Sequence, residues 1–336
     1  MKSPNEIMSA TKCGDLFSCN DKTQVAIEYK EMIRMYHPDV YNDPNAHAIT
    51  SKVNQMYAAA IDMISKGIWE ISNHLEIKDL HGKKYITKYL DVYNFEMGLS
   101  YISDLSITYR YETRYASFFH NAVKQINAIR YSSPEMEREF SRYLPKINYA
   151  FETADHRYCL ILQKAPDVYR LSDVLRYYKE KHNCFIPDRH VAWIISRLCN
   201  LCCFFEHIGI SHNALTTDSC FISPNDHSVL ILGGWGYAEK LGQPLLGIPR
   251  AIYDIMPVKA KGNKCADIGT DLESIKRIGR QVADMDAVPE QIKTFLNCGS
   301  SSTSWEEFSK WSNVLDLAYG QRTFIEMTIN KSDIYK

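Results

Sequence analysis

The residues best suited to recognition chemistry stand together: Tyr36-His37-Pro38-Asp39-Val40. Pro38 fixes its own φ and restricts His37, so the segment is stiff and its side chains are presented predictably. Asp39 offers a charge to an arginine on a partner, and His37 offers a directional hydrogen bond. A second candidate constellation, Cys199-x-x-Cys202, has metal-like spacing. It sits inside the apolar helical run Leu198 to Phe204 with no second pair or histidine at zinc-finger spacing, so it reads as buried thiol and no metal is expected.

Two helices must hold the first constellation. Lys22 to Tyr36 carries Val25, Tyr29, Met32, Ile33 and Tyr36 at helical spacing, with Asp21 as its N-cap. Pro38 breaks that pattern, and Tyr41-Asn42-Asp43-Pro44-Asn45 is loop-like. A second helix is expected over about 48–65, with Val53, Met56, Tyr57, Ala60, Ile61 and Ile64 on one face. Packed antiparallel, the two helices leave the connecting loop exposed. Residues 67–87, with Gly82-Lys83-Lys84, read as a linker. Strands are expected at 89–97, 106–112, 147–152 and 158–162, and a strand–turn–strand at 219–232. Helices are expected at 115–130, 134–144, 171–181, 187–208, 270–284, 289–297 and 304–318. Strands first and helices afterwards is an α+β pattern.

The order helix, Tyr-His-Pro-Asp-Val, polar loop, then a helix with Val53-Asn54-x-x-Tyr57 resembles the J-domain of DnaJ-like proteins over about 50 residues. That resemblance implies a module over 1–66 that stimulates the ATPase of a DnaK-type chaperone. Docking would use His37, Pro38 and Asp39 with a basic helix face, here Lys22, Lys30 and Arg34, beside Tyr29. Glu28 and Glu31 dilute that face. Only Asp15-Leu16-Phe17 can be placed as the family's first short helix.

Residues 88–325 resemble the protein kinase fold, and 326–336 read as a tail. Tyr158 to Lys164 is similar to the strand entering the kinase hinge, and Tyr169 to Leu175 to the helix after it. His212-Asn213-Ala214-Leu215 stands where kinases have His-Arg-Asp-Leu, and Val229 to Trp235 where a strand ends in Asp-Phe-Gly. Asp271 resembles the buried Asp that opens a central helix of the C-terminal lobe and anchors backbone there. The resemblance implies a bilobal α+β domain, and its catalytic positions are degenerate. Ala214 replaces the Asp that accepts the substrate proton, Ser219 the Asn that binds magnesium, and Gly233 the metal-binding Asp. Gly98 stands alone rather than in a glycine-rich phosphate loop. Arg110 and Lys124 are poor candidates for the nucleotide lysine, as are Glu135, Glu137 and Glu139 for its glutamate. Asp218 or Asp226 would rescue one lost function only through an alignment slip. Trp235 reads as a plug in the nucleotide space. An unrelated α+β domain is the competing reading.

The composition is that of a globular chain of 336 residues, 45% hydrophobic and 24% charged, with a net charge of −1. That balance argues for neither nucleic acid nor an anionic membrane as partner. No apolar run reaches the roughly 18–20 residues of a membrane span. The start lacks a secretory apolar stretch, and most of the ten cysteines sit in apolar patterns, so a reducing cytoplasm is expected. Together these features predict a co-chaperone without chemistry of its own and without cofactors: a J-domain fused to a pseudokinase that binds a client, as in some bacterial and phage proteins. The alternatives are a divergent active kinase with a J-like targeting domain, and a non-catalytic scaffold that engages no chaperone.

Overall fold

The computed structural model describes residues 2–18, 20–71, 74–321 and 323–335. The chain is mixed α/β and divides into two compact units. The first comprises Met1–Ser103, Thr108–Thr113 and Phe151–Cys159; the second comprises Asp104–Ile107, Arg114–Ala150 and Leu160–Lys336.

The first unit begins with four helices, α1 Pro4–Ser9, α2 Cys13–Leu16, α3 Lys22–Tyr36 and α4 Ala46–Ser65. Asp21 caps α3 by accepting from the Gln24 amide at 2.9 Å. Val25, Met32 and Tyr36 of α3 bury against Ile49, Val53 and Met56 of α4, joined by Ile7, Leu16 and Phe17. Tyr36 O accepts from Thr50 Oγ1 at 2.9 Å, and Tyr29 OH donates to Asn54 Oδ1 at 2.9 Å. The end of α3 therefore meets the start of α4, and the two run antiparallel.

Residues 67–87 are not a linker. They form β1 Ile68–Ile71, β2 His74–Lys78 and the start of β3 Lys84–Phe95. Trp69, 3% exposed, completes the helical core, and Met63 of α4 touches both that core and the cluster of Leu75, Ile77, Tyr89 and Tyr101. Apolar contact on both sides of Gly67 is what removes the expected boundary. A strand absent from the sequence reading, β4 Gly98–Ser103, pairs with β3 through a turn at Glu96-Met97 and is followed by β5 Ser106–Tyr111. Gly98 is required there, because a Cβ would strike the Arg110 carbonyl. With β6 Ile147–Glu152 and β7 Tyr158–Gln163, each of which has residues in both units, the strand order of this sheet is β1-β2-β3-β4-β5-β7-β6.

The other elements are α5 Ala116–Ala128, α6 Pro134–Phe140, β6 Ile147–Glu152, β7 Tyr158–Gln163, β8 Tyr169–Arg170, α7 Leu171–His182, α8 Asp188–His207, β9 Ile210–Ser211, β10 Cys220–Ser223, β11 Ser228–Ile231, β12 Glu239–Lys240, α9 Val258–Asn263, α10 Ile268–Val282, α11 Glu290–Asn297, α12 Ser304–Tyr319 and α13 Lys331–Ile334. In the second unit α8 is the central helix, contacting α10 and α12. Its apolar faces bury Ile194, Ile195, Leu198, Cys199, Leu201 and Cys202. Between α10 and α12, Lys276 and Glu307 form an ion pair at 2.9 Å, each side chain 2% exposed. Strand β10 pairs with β11 and β8, and β12 with β9. The segment read as a tail is docked: α13 lies on α7, with Ile334 and Tyr335 buried. No helix among the described residues is long and apolar enough to cross a membrane.

Candidate functional site

Two constellations stand out, one in each unit. In the first, α3 ends at Tyr36, and the His37 amide makes the last helical bond to the Ile33 carbonyl at 2.9 Å. His37 takes the extended conformation (φ −61°, ψ 137°) that a following proline demands. Its carbonyl then accepts from the amides of Val40 and Tyr41 at 2.9 and 2.8 Å, closing a tight turn. Within the turn the Asp39 amide donates to His37 Nδ1 at 3.3 Å, and the Asp39 carboxylate lies 3.4 Å from the same nitrogen. Tyr36 fixes the base, its hydroxyl donating to the Lys2 carbonyl at 2.9 Å and its ring meeting Tyr41 edge-on. The side chains above this base are presented outward: His37 is 44% exposed and Asp39 86%.

Lys22, Lys30 and Arg34 are exposed on α3. Tyr29 is half-buried; it stacks on Tyr57 at 4.0 Å and bonds Asn54, which makes it a strut of the hairpin. Glu28, expected to dilute the basic face, is turned to the Ser18 segment. It accepts from the Ser18 amide and hydroxyl and from Gln24 Nε2. Glu31 remains exposed among the basic residues, with Ile27, Met35 and Val40 adding apolar surface.

The second constellation is buried. Asp271, near the start of α10, accepts from the backbone amides of His212 at 2.7 Å and Asn213 at 2.8 Å, and from the Ser211 hydroxyl at 2.9 Å. Burial pushes its carboxyl up to about 6, against the lowering effect of those three bonds. Asn213 stands at φ 57° and its side-chain amide donates to the Ser211 and Tyr237 carbonyls. His212 Nε2 lies 3.0 Å from the Gly233 carbonyl, and burial pulls the ring down to about 3. Trp235 meets the His212 ring edge-on at 5.1 Å and donates to the Ile231 carbonyl. It is a core residue of the second unit. Gly234 (φ 78°) permits this approach, since a Cβ there would lie 2.7 Å from His212 Cε1. From α5, Asn121 donates to the Gly236 and Ala238 carbonyls at 3.0 and 2.9 Å.

The structure thus gathers His212, Asn213, Ala214, Gly233 and the Ser219 turn, and among the described residues the carboxylate bonded to His212 and Asn213 is that of Asp271. Ser219 Oγ accepts from the Thr216 amide, and its carbonyl accepts from the amides of Leu232 and Gly233. Asp218 is turned outward to the Ser172 hydroxyl, and Asp226 to Ser223. Arg110 is buried in an ion pair with Asp155 at 2.5 Å, a partner the sequence reading missed. The signal was slight: an aspartate at the tip between two strands. Lys124 is exposed, and Glu135 and Glu139 pair with Arg138 and Arg142. Among the described residues no cluster of three or more His, Cys, Asp or Glu could hold a metal. The Cys199 and Cys202 thiols are raised well above their ordinary value by burial, leaving them inert.

No family model and no curated protein matches the sequence. Among solved structures, the chain is similar to the BubR1 kinase domain at 11% identity and TM-score 0.49, over 75% of this chain and 83% of that one. It is also similar to vaccinia related kinase 3 at 14% identity and TM-score 0.48, over 74% and 91%. Both TM-scores lie below 0.5, and the reading of this chain rests on its own residues.

Proposed function

We propose that this chain is a co-chaperone of the J-domain type. Its α3–α4 hairpin would dock on a DnaK-type ATPase and stimulate hydrolysis there, while a protein-kinase-like second part without phosphotransfer activity holds a client or partner. The observation that carries this reading is the His37-Pro38-Asp39 turn: rigid below, exposed above, at the end of an antiparallel helix pair, beside exposed Lys30 and Arg34. Asp39 makes no bond besides its contacts with His37 among the described residues, so its charge is available to a partner's arginine. The kinase-like part is read as non-catalytic because Ala214, Ser219 and Gly233 stand at the positions for proton acceptance and magnesium, while Asp218 and Asp226 are turned to Ser172 and Ser223. Asp271 is buried, and its bonds to two backbone amides and a hydroxyl give it an anchoring role.

The test is steady-state ATPase of a purified DnaK-type chaperone with this protein and with its Asp39→Asn variant. The expected result is stimulation of several-fold by the wild type and none by the variant. Equal effects of the two proteins, or no effect of either across chaperones from several bacterial hosts, would overturn the proposal.

A further inference from the structure

A cavity of about 410 Å³ opens between α8 and α12, outside both constellations and wholly within the second unit. That volume suits a small ligand. The helical repeat explains how it is lined. Arg189, Trp193, Arg197 and Asn200 fall on one face of α8 at spacings of three and four, and Phe308, Ser312, Leu315 and Tyr319 do the same on α12. Trp311 closes the floor by donating to Ser196 Oγ at 2.8 Å.

The charge of this cavity is one-sided. Among the described residues, no Asp or Glu lines it, while two arginines do. Asp188, next to Arg189, is already occupied by the Tyr319 hydroxyl at 2.8 Å. Arg197 uses only Nε, donating to the His227 carbonyl at 3.0 Å, so both its Nη groups have no partner among the described residues. Arg189 bonds Thr323 Oγ1 through Nη1 and lies 4.7 Å from the Tyr319 ring centre. Each guanidinium therefore keeps spare donors in the fork that suits carboxylate and phosphate. The walls are aromatic and rigid: Trp193 stacks on His227 at 4.9 Å with planes 7° apart, and His227 stacks on Phe324 at 4.2 Å.

We propose that this cavity binds a small planar aromatic anion, an aryl phosphate or aryl carboxylate, with Arg197 and Arg189 holding the anionic group and the indole and phenol walls holding the ring. The proposal does not depend on the co-chaperone reading. The test is isothermal titration calorimetry of the full chain with 1-naphthyl phosphate and 1-naphthoate, beside inorganic phosphate and 1-naphthol. One-to-one binding of a naphthyl anion is expected, at least tenfold tighter than either control, and weakened at least tenfold by Arg197→Gln. Arg197→Lys should keep part of the affinity, and Arg142→Gln, outside the cavity, should leave it unchanged. Thermal melts of each variant separate lost binding from lost folding. Binding of 1-naphthol or inorganic phosphate as tight as the naphthyl anion would overturn the proposal, as would affinity unchanged in a folded Arg197→Gln protein or no binding at all.

Discussion

Removing the Asp271 carboxylate should loosen the loop it anchors by a predictable amount. In Asp271→Ala, the amides of His212 and Asn213 lose the acceptor they have among the described residues, while both residues are about 1% exposed or less. A buried donor left unsatisfied costs about 1–3 kcal/mol, so the pair costs roughly 4 kcal/mol. Ser211 adds little, because its hydroxyl can turn to the Asp267 carbonyl at 3.0 Å or Asn213 Oδ1 at 2.9 Å. Asp271→Asn keeps one acceptor and sets an amide NH2 against the other donor, which predicts about half the loss, roughly 2 kcal/mol. Hydrogen exchange with mass spectrometry reads this locally, without assuming that the two units unfold together. Exchange of the amides around residues 211–214 should accelerate by about three decades in Asp271→Ala and one to two in Asp271→Asn, at about 1.4 kcal/mol per decade. An Asp271→Ala protein whose amides there exchange within threefold of wild type would refute the anchoring argument.

Two further perturbations test the buried charges. Asp155→Ala leaves the Arg110 guanidinium, 1% exposed, without its counter-ion and should destabilise the chain by about 3–5 kcal/mol. Arg110→Met with Asp155→Leu should recover most of that in thermal or urea unfolding. Stability should also fall as pH drops from about 6.5 towards 3. Burial holds His212 down at about 3 in the fold, so the unfolded chain binds its proton first. At pH 5 this removes about 2 kcal/mol, partly offset by about 1 kcal/mol from Asp271, whose raised carboxyl takes up a proton in the folded state below about 6. His212→Gln should flatten the acid limb of the stability–pH curve by about one proton; an unchanged slope would sink the account.

The parts of the fold legible in the sequence were those with a local cause. The α3 boundaries follow from Asp21 at one end and Pro38 at the other, and β6 and β10–β11 follow from short apolar runs between turn residues. Residues 67–87 misled because their evidence is not local. Read alone, Gly82-Lys83-Lys84 and the polar residues around it mark a break. Only the insertion of Trp69 into a core made by α1 to α4 turns the segment into strands. The Arg110–Asp155 pair was hidden for the same reason, since residues 45 apart in sequence share no pattern. The tail is a third case: Lys331, Ile334 and Tyr335 look like any polar terminus until Lys331 meets Asp104 and Tyr335 meets Tyr169.

This asymmetry bears on how each candidate site should be weighed. The His37-Pro38-Asp39 turn is a local motif whose rigidity is written in three adjacent residues. The Asp271 anchor joins residues nearly 60 positions apart, and its donors are backbone amides that any sequence supplies. What a sequence can announce there is the negative: Ala214, Ser219 and Gly233 carry no carboxylate, whatever fold surrounds them. The α8–α12 cavity is different again. Each of its helices carries an ordinary amphipathic pattern, and two arginines eight positions apart invite no reading at all. Their meaning comes from the face opposite, where α12 brings aromatic rings and no acid. Ligand sites built from two unremarkable helix faces are therefore the kind of function that only the folded chain makes visible.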